Sequence, residues 1–443
     1  MEIKKYEVPV EKLCWKCDPK LFDFECTKDL APLRDFIGQK RATKAVEFGL
    51  SMNNSGYNIY VAGLTGTGKT SMVKTYIEKL IHKREACGEI LKLEDWCYLY
   101  NFKEPDSPQI ISLPQGGGKT LSNEIDELSE NVKIDLEQAF SSDEYKKQKH
   151  NILEKAQKEQ QKVFEGIAAE ARRQGFALQM LPSGPVLVPI VEDRLMQENE
   201  YEALEEKAKE ELKAKQAKLG KKLQASFEAA GEVKRKTVAL LQKTDEDIGE
   251  YTVSRCINPL LDKYKHWPKV HKYLVDLKDY ILNNLEIFKE TEEQGTPTSV
   301  VPVNPVMAGE DPFLPFKVNV FVDNSETKNP PVIIESNPNF VNIFGKLERH
   351  YIMGGYISDH TMLKAGALGK ANGGYLLVTA QDVLINPGVW PALKRAIKNK
   401  EVKIEDPLEQ FGLLTLERLR PEPMPINVKV VLIGDVMLYQ LLS

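Results

Sequence analysis

The chain has 443 residues, a formal net charge of −5 and a hydrophobic fraction of 42%. This length predicts two or three domains, and the small charge gives no general indication of binding to nucleic acid or membrane. No segment reaches the roughly 18 apolar residues of a membrane-spanning helix, residues 1–7 lack the apolar core of a secretion signal, and six scattered cysteines do not require an oxidising compartment. We therefore predict a cytoplasmic protein without a membrane segment.

Residues 1–56 are predicted to form a lead-in that ends in a helix from Gln39 to Asn53. Within it, Cys14 and Cys17 form a C-x-x-C pair, with Cys26 nearby. A zinc site needs another pair of ligands at suitable spacing, and a redox motif needs a thioredoxin-like setting. The sequence offers neither, so we favour neither function for these cysteines.

The most informative stretch follows a strand predicted at residues 57–62. Residues 63–70 fit G-x-x-x-x-G-K-[ST], the phosphate-binding loop of nucleoside triphosphatases. Residues 71–82 then place apolar side chains at helical spacing, which completes the strand–loop–helix arrangement. The residues predicted to bind nucleotide are Gly63, Leu64, Thr65, Gly66, Thr67, Gly68, Lys69 and Thr70.

The residue types of this loop suit a triphosphate. Its glycines let main-chain N–H groups curl around the phosphates, and the helix N-terminus adds partial positive charge. Lys69 is expected to reach the β and γ phosphates, and Thr70 to hold Mg²⁺. The sequence therefore predicts ATP and magnesium as cofactors.

A further strand is predicted at residues 96–102, and residues 57–120 are assigned to the P-loop half of an α/β module. Gly116 to Thr120 imitates the end of a phosphate loop, but Leu113 stands where the first glycine belongs. A surface turn that enters the next segment is the preferred interpretation. His266 and His271 flank Trp267 without any metal-binding pattern, and are interpreted as packing or exposed residues.

Residues 121–294 are rich in Glu, Lys, Gln and Ala, and their apolar residues recur at helical spacing. This pattern predicts long amphipathic helices in a hairpin or antiparallel coiled coil; a disordered charged linker is the alternative. The Pro/Gly-rich interruption at 181–189 must lie between the two arms or in a small β element. Lys207 to Lys222 is interpreted as a solvated helix face, with a nucleic-acid-binding patch as the alternative.

Residues 295–316 are predicted to be a linker. In residues 317–443, apolar strands are predicted at 318–322, 331–334, 375–378 and 428–434, with a helix at 391–398. Strands that alternate with helices indicate an α/β fold with a parallel sheet, interrupted by the helical insertion. Because an apolar helix has only just begun when the chain stops at Ser443, we expect a truncated product.

Several blocks resemble the ATPase half of the Lon-related ATP-dependent proteases, across essentially the whole chain. Residues 37–42 resemble the lead-in of AAA+ ATPases. The more specific blocks are residues 318–324, 337–348, 364–368, 370–376 and 429–435. The resemblance implies a P-loop AAA+ sheet split by a helical insertion and followed by a Ser/Lys-dyad protease domain. It further implies a homo-oligomeric ring, a hexamer in the family, that unfolds protein substrates for proteolysis.

By the same resemblance, Ile37, Gly38 and Gln39 correspond to the segment near the adenine. Thr379 and Ala380 occupy the two Walker B positions where AAA+ proteins carry Asp and Glu, so hydrolysis is in doubt. Glu348 and Asp382 are candidate substitutes, and Asp435, after the sensor-1-like strand, is a candidate for facing the γ-phosphate. A fifth strand, an arginine finger, a lid and the protease domain would all have to lie beyond Ser443.

Two functions of different classes follow. The first is the ATP-binding AAA+ module of a Lon-like serine protease, of the endopeptidase La type, that here lacks its proteolytic part. The second is a nucleotide-gated interaction protein that binds ATP without turnover and holds a partner with its coiled coil. The family-like blocks favour the first function, whereas Thr379 and Ala380 favour the second. A DNA-linked ATPase is a third alternative.

Overall fold

A computed structural model describes residues 7–30, 39–52, 56–64, 66–88, 92–181, 184–191, 194–196, 206–289, 311–352, 355–405 and 419–442. Ile37, Gly38, Thr65 and most of the linker predicted at 295–316 lie outside these ranges, so their assignments stay predictions. Within the described ranges, no helix combines the length and the apolar character needed to cross a bilayer.

The elements follow one another in three groups. The first group is α1 (Lys40–Ser51), β1 (Ile59–Ala62) and α2 (Lys69–Ala86). The second is β2 (Glu94–Leu99), β3 (Gln109–Pro114), α3 (Gly117–Ser141), α4 (Asp143–Arg173), β4 (Phe176–Leu181), β5 (Gly184–Val191), β6 (Arg194–Leu195), α5 (Glu206–Lys263), α6 (Pro268–Asn283) and β7 (Asn319–Val322). The third is β8 (Val332–Glu335), α7 (Phe340–Phe344), β9 (Gly345–Leu347), β10 (His350–Ile352), β11 (Gly355–Ile357), β12 (Leu363–Ala365), α8 (Ala367–Lys370), β13 (Tyr375–Thr379), α9 (Ala380–Ile385), α10 (Val389–Asn399), β14 (Glu401–Val402), β15 (Met424–Pro425), β16 (Lys429–Gly434) and α11 (Val436–Leu442).

The fold is α/β with a parallel sheet, as predicted. Four strands pair in the order β1–β16–β13–β8, and every pair is parallel. The chain leaves β1 at one edge, forms β8 at the other, and returns through β13 to β16 beside β1. The carboxyl ends of β1 and β16 therefore meet at a point where strand order reverses, which is where open α/β sheets bind ligands.

Helices cover both faces of this sheet, which explains its continuous apolar strands. On one face, Leu377 and Val431 are buried in a core with Val73 and Ile77 of α2. The neighbouring residues on the same strands point the other way, into a second core that α7, α8 and α10 cover. Because successive side chains alternate between faces, a strand buried on both sides must be apolar at almost every position.

A second sheet is antiparallel and contains β3, β2 and β7 in that order. The sequence pattern predicts one strand at 96–102 in the P-loop half and no strand at β3, and it places β7 in the later part of the parallel sheet. The structure instead pairs these strands with one another, apart from the parallel sheet. We call the elements from β2 to β7 the inserted unit. Its helices α3, α5 and α6 pack on the second sheet in a single apolar core.

The inserted unit extends into a helical arm, formed by α4, α5 and the ribbon β4–β6. Tyr145, early in α4, donates a hydrogen bond to Asp245 at 2.8 Å, whereas Glu170, late in α4, pairs with Lys222 at 2.9 Å. The contacts run in opposite order along the two helices, so the helices are antiparallel, as predicted. The interruption at 181–189 contributes to the antiparallel pair β4–β5 at the end of the arm.

The described end of the predicted linker is packed rather than free. Phe316 is buried in the core of the inserted unit, and Tyr273 Oη donates to the carbonyl oxygen of Pro315 at 2.7 Å. Aromatic side chains there also contact one another, since the ring centroids of Phe313 and Phe316 lie 6.0 Å apart, with the rings tilted by 42°. The proline-rich composition of the segment hid this anchoring, because the apolar residues that form it are confined to residues 313–316 and show no strand or helix period.

His360 lies beside β7, where the inserted unit meets the rest of the chain. Its side chain is 2% exposed, its Nε2 lies 2.7 Å from the carbonyl oxygen of Lys317, and its Nδ1 has no partner among the described residues. Burial lowers the pKa of His360 below the ordinary value of 6.5, against smaller opposing contributions from Lys317 and Asp359.

We expect the stability of the chain to fall as the pH drops below about 6.5, because the unfolded state then binds a proton at His360 that the folded state does not. Above that pH both states are neutral and the effect vanishes. Chemical denaturation at several pH values measures this slope. His360→Gln, which keeps a donor toward Lys317, should show a shallower slope between pH 6.5 and 5. Equal slopes would contradict the assignment.

Candidate phosphate-binding site

The predicted phosphate loop joins the end of β1 to the start of α2, at the reversal point of the parallel sheet. Gly66 and Gly68 have φ values of 80° and 74°, a region that favours glycine, and Gly68 is the N-cap of α2. Among the described residues, and apart from each glycine's own chain neighbours, no atom lies within 4 Å of where a Cβ would stand at Gly66 or Gly68. The loop is thus open, and its backbone geometry depends on these two residues.

Lys69 and Thr70 begin helix α2 directly beneath the loop. The Lys69 ammonium donates to the carbonyl oxygens of Gly63 at 2.6 Å and Leu64 at 2.7 Å, which holds it across the loop. The helical hydrogen-bond ladder starts with Met72 N and Gly68 O, so the earlier N–H groups of α2 have no acceptor within the helix. Free amides, a helix N-terminus and one ammonium form a cradle suited to phosphate.

The carboxyl end of β16, the strand predicted to resemble sensor 1, is hydrogen-bonded to the loop. Gly63 N donates to Gly434 O at 3.2 Å, and Tyr60 Oη donates to Asp435 O at 3.0 Å. A Cβ at Gly434 would stand 2.0 Å from Tyr60 Oη, so this close approach requires glycine. The Asp435 carboxylate accepts from Leu438 N at 2.7 Å and caps α11. Its role toward a γ-phosphate stays a prediction.

The Walker B position lies at the end of β13, two strands from β1. Thr379 ends that strand and is exposed, whereas Ala380 begins α9 and is 1% exposed. The Cβ of Ala380 lies 3.2 Å from where a Cβ would stand at Gly434. There is room for a carboxylate at position 379, but a Glu at position 380 would have to enter a packed site.

The two other candidate residues, Asp382 and Glu348, make local contacts. Asp382 lies in the first turn of α9, past the strand end as predicted, and its carbonyl accepts from Asn386. Glu348 pairs with Lys346 at 2.7 Å, and this neighbour lowers the pKa of its carboxyl group. No contact between either carboxylate and the phosphate loop is seen in the described part of the chain, so their roles in hydrolysis also stay predictions.

A lysine of the parallel sheet, which the sequence analysis did not single out, holds the C-terminal end of the lead-in helix α1. Lys429, at the start of β16, donates to the last carbonyls of α1, those of Gly49 at 2.8 Å, Leu50 at 3.4 Å and Met52. A cation at a helix C-terminus is favourable there. Gln39, the described part of the predicted adenine segment, is the N-cap of this helix. Lys429 thereby positions the helix that follows that segment.

The second glycine-rich stretch, at Gly116 to Thr120, binds a carboxylate of the chain itself. Asp95 is fully buried, and its two carboxylate oxygens accept from Gly118 N at 2.9 Å and Asn324 N at 2.8 Å. Lys119 pairs with Asp323 at 2.8 Å. The carboxylate of Asp95 in β2 therefore occupies the anion site at the start of α3, and this turn has a structural role in the inserted unit.

Asp95→Ala should lower the free energy of unfolding by about 3 kcal/mol, because two buried main-chain amides lose their acceptor. Equilibrium denaturation measures the change. Lys119→Ala removes the neighbouring half-exposed ion pair and should cost less than about 1 kcal/mol. Similar losses in the two variants would show that the buried carboxylate does not hold the turn.

The cysteines set aside from sequence remain without an assigned role. Cys14, Cys17 and Cys26 are exposed and free. Over the described ranges, no three His, Cys, Asp or Glu side chains group closely enough to hold a metal ion.

The fold and the loop together define a P-loop α/β module with the strand order of a nucleotide-binding sheet. Comparison with protein families agrees: residues 328–443 match the LonB-like AAA domain, and residues 95–128 match the Lon-like LonC helical domain. No curated protein matches the chain. Two parts of the chain therefore match domains of Lon-related proteases, and one of these domains is an AAA module.

Proposed function

We infer that this chain binds ATP with Mg²⁺ as the AAA+ module of a Lon-like, ATP-dependent serine protease, and that it turns ATP over slowly. The observation that carries the proposal is the cradle formed by Gly66, Gly68 and Lys69 at the reversal point of the sheet. Thr70 is positioned in the first turn of α2 and would hold Mg²⁺. A bound magnesium would neutralise charge on the β and γ phosphates.

Slow turnover is supported by the Walker B position. Thr379 supplies a hydroxyl and no charge, and buried Ala380 supplies no polar group. Most phosphate contacts come from the loop, so binding does not depend on these residues, whereas hydrolysis needs a group that orients the attacking water. Calorimetric titration with ATP and magnesium tests binding, and we expect one site per chain. A flat titration would overturn the proposal.

A homo-oligomeric ring that handles protein substrates is the assembly we propose from the match to the LonB-like AAA domain. The surface near β1 offers an apolar region for such contacts. Exposed side chains there include Tyr57, Val436, Met437 and Leu441. A rise in assembly size on adding ATP, seen by light scattering, would support it, and a strictly monomeric chain would contradict it.

The cytoplasmic location stays a prediction, and no observation on the described residues favours DNA binding.

The second candidate is a nucleotide-gated interaction protein, and the helical arm favours it. Helix α5 has 58 residues and at 1.5 Å per residue is about 87 Å long. An arm of this length can present a distant surface to a partner. This candidate shares the nucleotide site with the first but requires no hydrolysis. It would be supported if a partner bound the arm in an ATP-dependent manner while phosphate release stayed at background.

A further inference from the structure

The segment that leads into β16 lies along the inserted unit before it reaches the nucleotide-binding sheet. Its main chain makes two hydrogen bonds to the loop between β2 and β3, from Arg420 N to Asp106 O at 2.5 Å and from Glu422 N to Pro108 O at 3.0 Å. This segment therefore follows the inserted unit closely, although 312 residues separate Glu422 from Ile110, which it also contacts.

Glu422 joins three elements of the inserted unit. Its carboxylate accepts from Ile110 N of β3 at 3.0 Å, and from Lys269 Nζ of α6 at 2.8 and 2.9 Å. Its carbonyl accepts from Tyr98 Oη of β2 at 2.8 Å. Lys269 completes the arrangement by donating to Ile110 O at 3.0 Å. The contacts are distributed over three elements, so a movement of Glu422 would displace β2, β3 and α6 together.

The other end of the same segment touches the phosphate loop. After β15, the chain enters β16, whose six residues span about 20 Å. Gly434, at the end of β16, accepts from Gly63 N at 3.2 Å. Lys69 in turn donates to Gly63 O at 2.6 Å. A triphosphate would compete for the Lys69 ammonium, so Gly63 O would lose its hydrogen bond to Lys69. The position of Gly63, and with it the hydrogen bond from Gly63 N to Gly434 of β16, would then change.

We propose that Glu422 couples the nucleotide site to the helical arm. Nucleotide binding at the loop shifts β16, and Glu422 passes this shift to β3 and to α6, which packs against the arm helix α5. The coupling is reciprocal, so a partner that holds the arm changes the affinity for ATP by the same factor. The inference rests on the proposed nucleotide binding and adds a conformational output to it.

The role of Glu422 is distinguishable from a role in folding. Its side chain and that of Lys269 are about half exposed, and ion pairs in such positions contribute little to stability. Glu422→Gln keeps the shape and an acceptor toward Ile110 but weakens the bond to Lys269, so this variant should fold. Lys269→Met tests the same contact from the other side.

Hydrogen exchange measured by mass spectrometry, with and without a non-hydrolysable ATP analogue and magnesium, tests the coupling on the full chain. In the wild type we expect the analogue to change exchange at least twofold in β3 and in the first turn of α6, besides the loop. In Glu422→Gln and Lys269→Met this remote change should disappear, with affinity for the analogue kept within about threefold. Asp126→Asn, which breaks the similarly exposed Lys317–Asp126 pair of the inserted unit, should retain it.

Three results would overturn the inference. The first is a wild type in which exchange changes only around the loop, and the second is a Glu422→Gln variant with the full remote change. These two results would leave the proposed nucleotide binding intact and would contradict only the coupling through Glu422. The third is a wild type that neither binds the analogue in the accompanying titration nor changes exchange anywhere, which would remove the proposed function as well.

Discussion

Replacing Lys69 with alanine is expected to weaken ATP binding by at least about 100-fold, equivalent to roughly 3 kcal/mol. The ammonium lies across the loop, where it donates to two carbonyls at 2.6 and 2.7 Å. On binding it would exchange these neutral acceptors for charged phosphate oxygens, each worth about 1.5–3 kcal/mol as a hydrogen bond to a charged group. Calorimetric titration with ATP measures the loss.

Lys74→Ala provides the matched control on the same helix. Lys74 is half exposed and pairs only loosely with Glu78, at 3.9 Å. Its removal deletes one positive charge from α2 without touching the loop, so the affinity should stay within about threefold. If Lys69→Ala bound ATP as tightly as the control, the loop would not be the phosphate site.

Thr379→Asp is expected to raise the rate of phosphate release about 100-fold, from near background in the wild type. Because position 379 is exposed at the end of β13, the new carboxylate enters solvent rather than the core. It would stand where a negative charge can hold the magnesium water shell and orient the attacking water. A coupled phosphate assay measures the rate, with Thr379→Asn as the uncharged control.

The structure argues against restoring both Walker B residues at once. Ala380 is buried, and Glu there would force a charge and extra volume into a packed site at a cost of several kcal/mol. Position 379 alone is therefore the informative change. A wild type that already turns over at about 1 s⁻¹ or faster, or an aspartate variant no faster than the asparagine one, would contradict the assignment of slow turnover to Thr379.

The local parts of this fold could be predicted from sequence because their signals are local. The phosphate loop needs glycines at fixed spacing between a strand and a helix, and the apolar residues of α2 repeat with the helical period. Strands buried on both faces, such as β13, show as continuous apolar runs. The prolines at 182 and 185 correctly predicted a non-helical interruption, although α4 already ends at Arg173, before β4.

The pairing partners of the strands could not be predicted in the same way. Trp96 of β2 and Val322 of β7 are register partners although more than two hundred residues separate them, and nothing in either strand identifies the other. An apolar strand looks the same in a parallel sheet and in the antiparallel one. Lys429, Tyr60 and Glu422 were missed for a related reason, since their hydrogen-bond partners are main-chain groups of distant elements, carbonyl oxygens for the first two and an N–H for Glu422.

The central claim is that the loop between β1 and α2 closes around a triphosphate. Phosphorus NMR of ATP, titrated with the chain in the presence of magnesium, observes the three phosphates directly. We predict that the β and γ resonances shift or broaden with wild-type protein and are unchanged with Lys69→Ala. Resonances that stay unperturbed by the wild type at concentrations where family ATPases are saturated would contradict the claim.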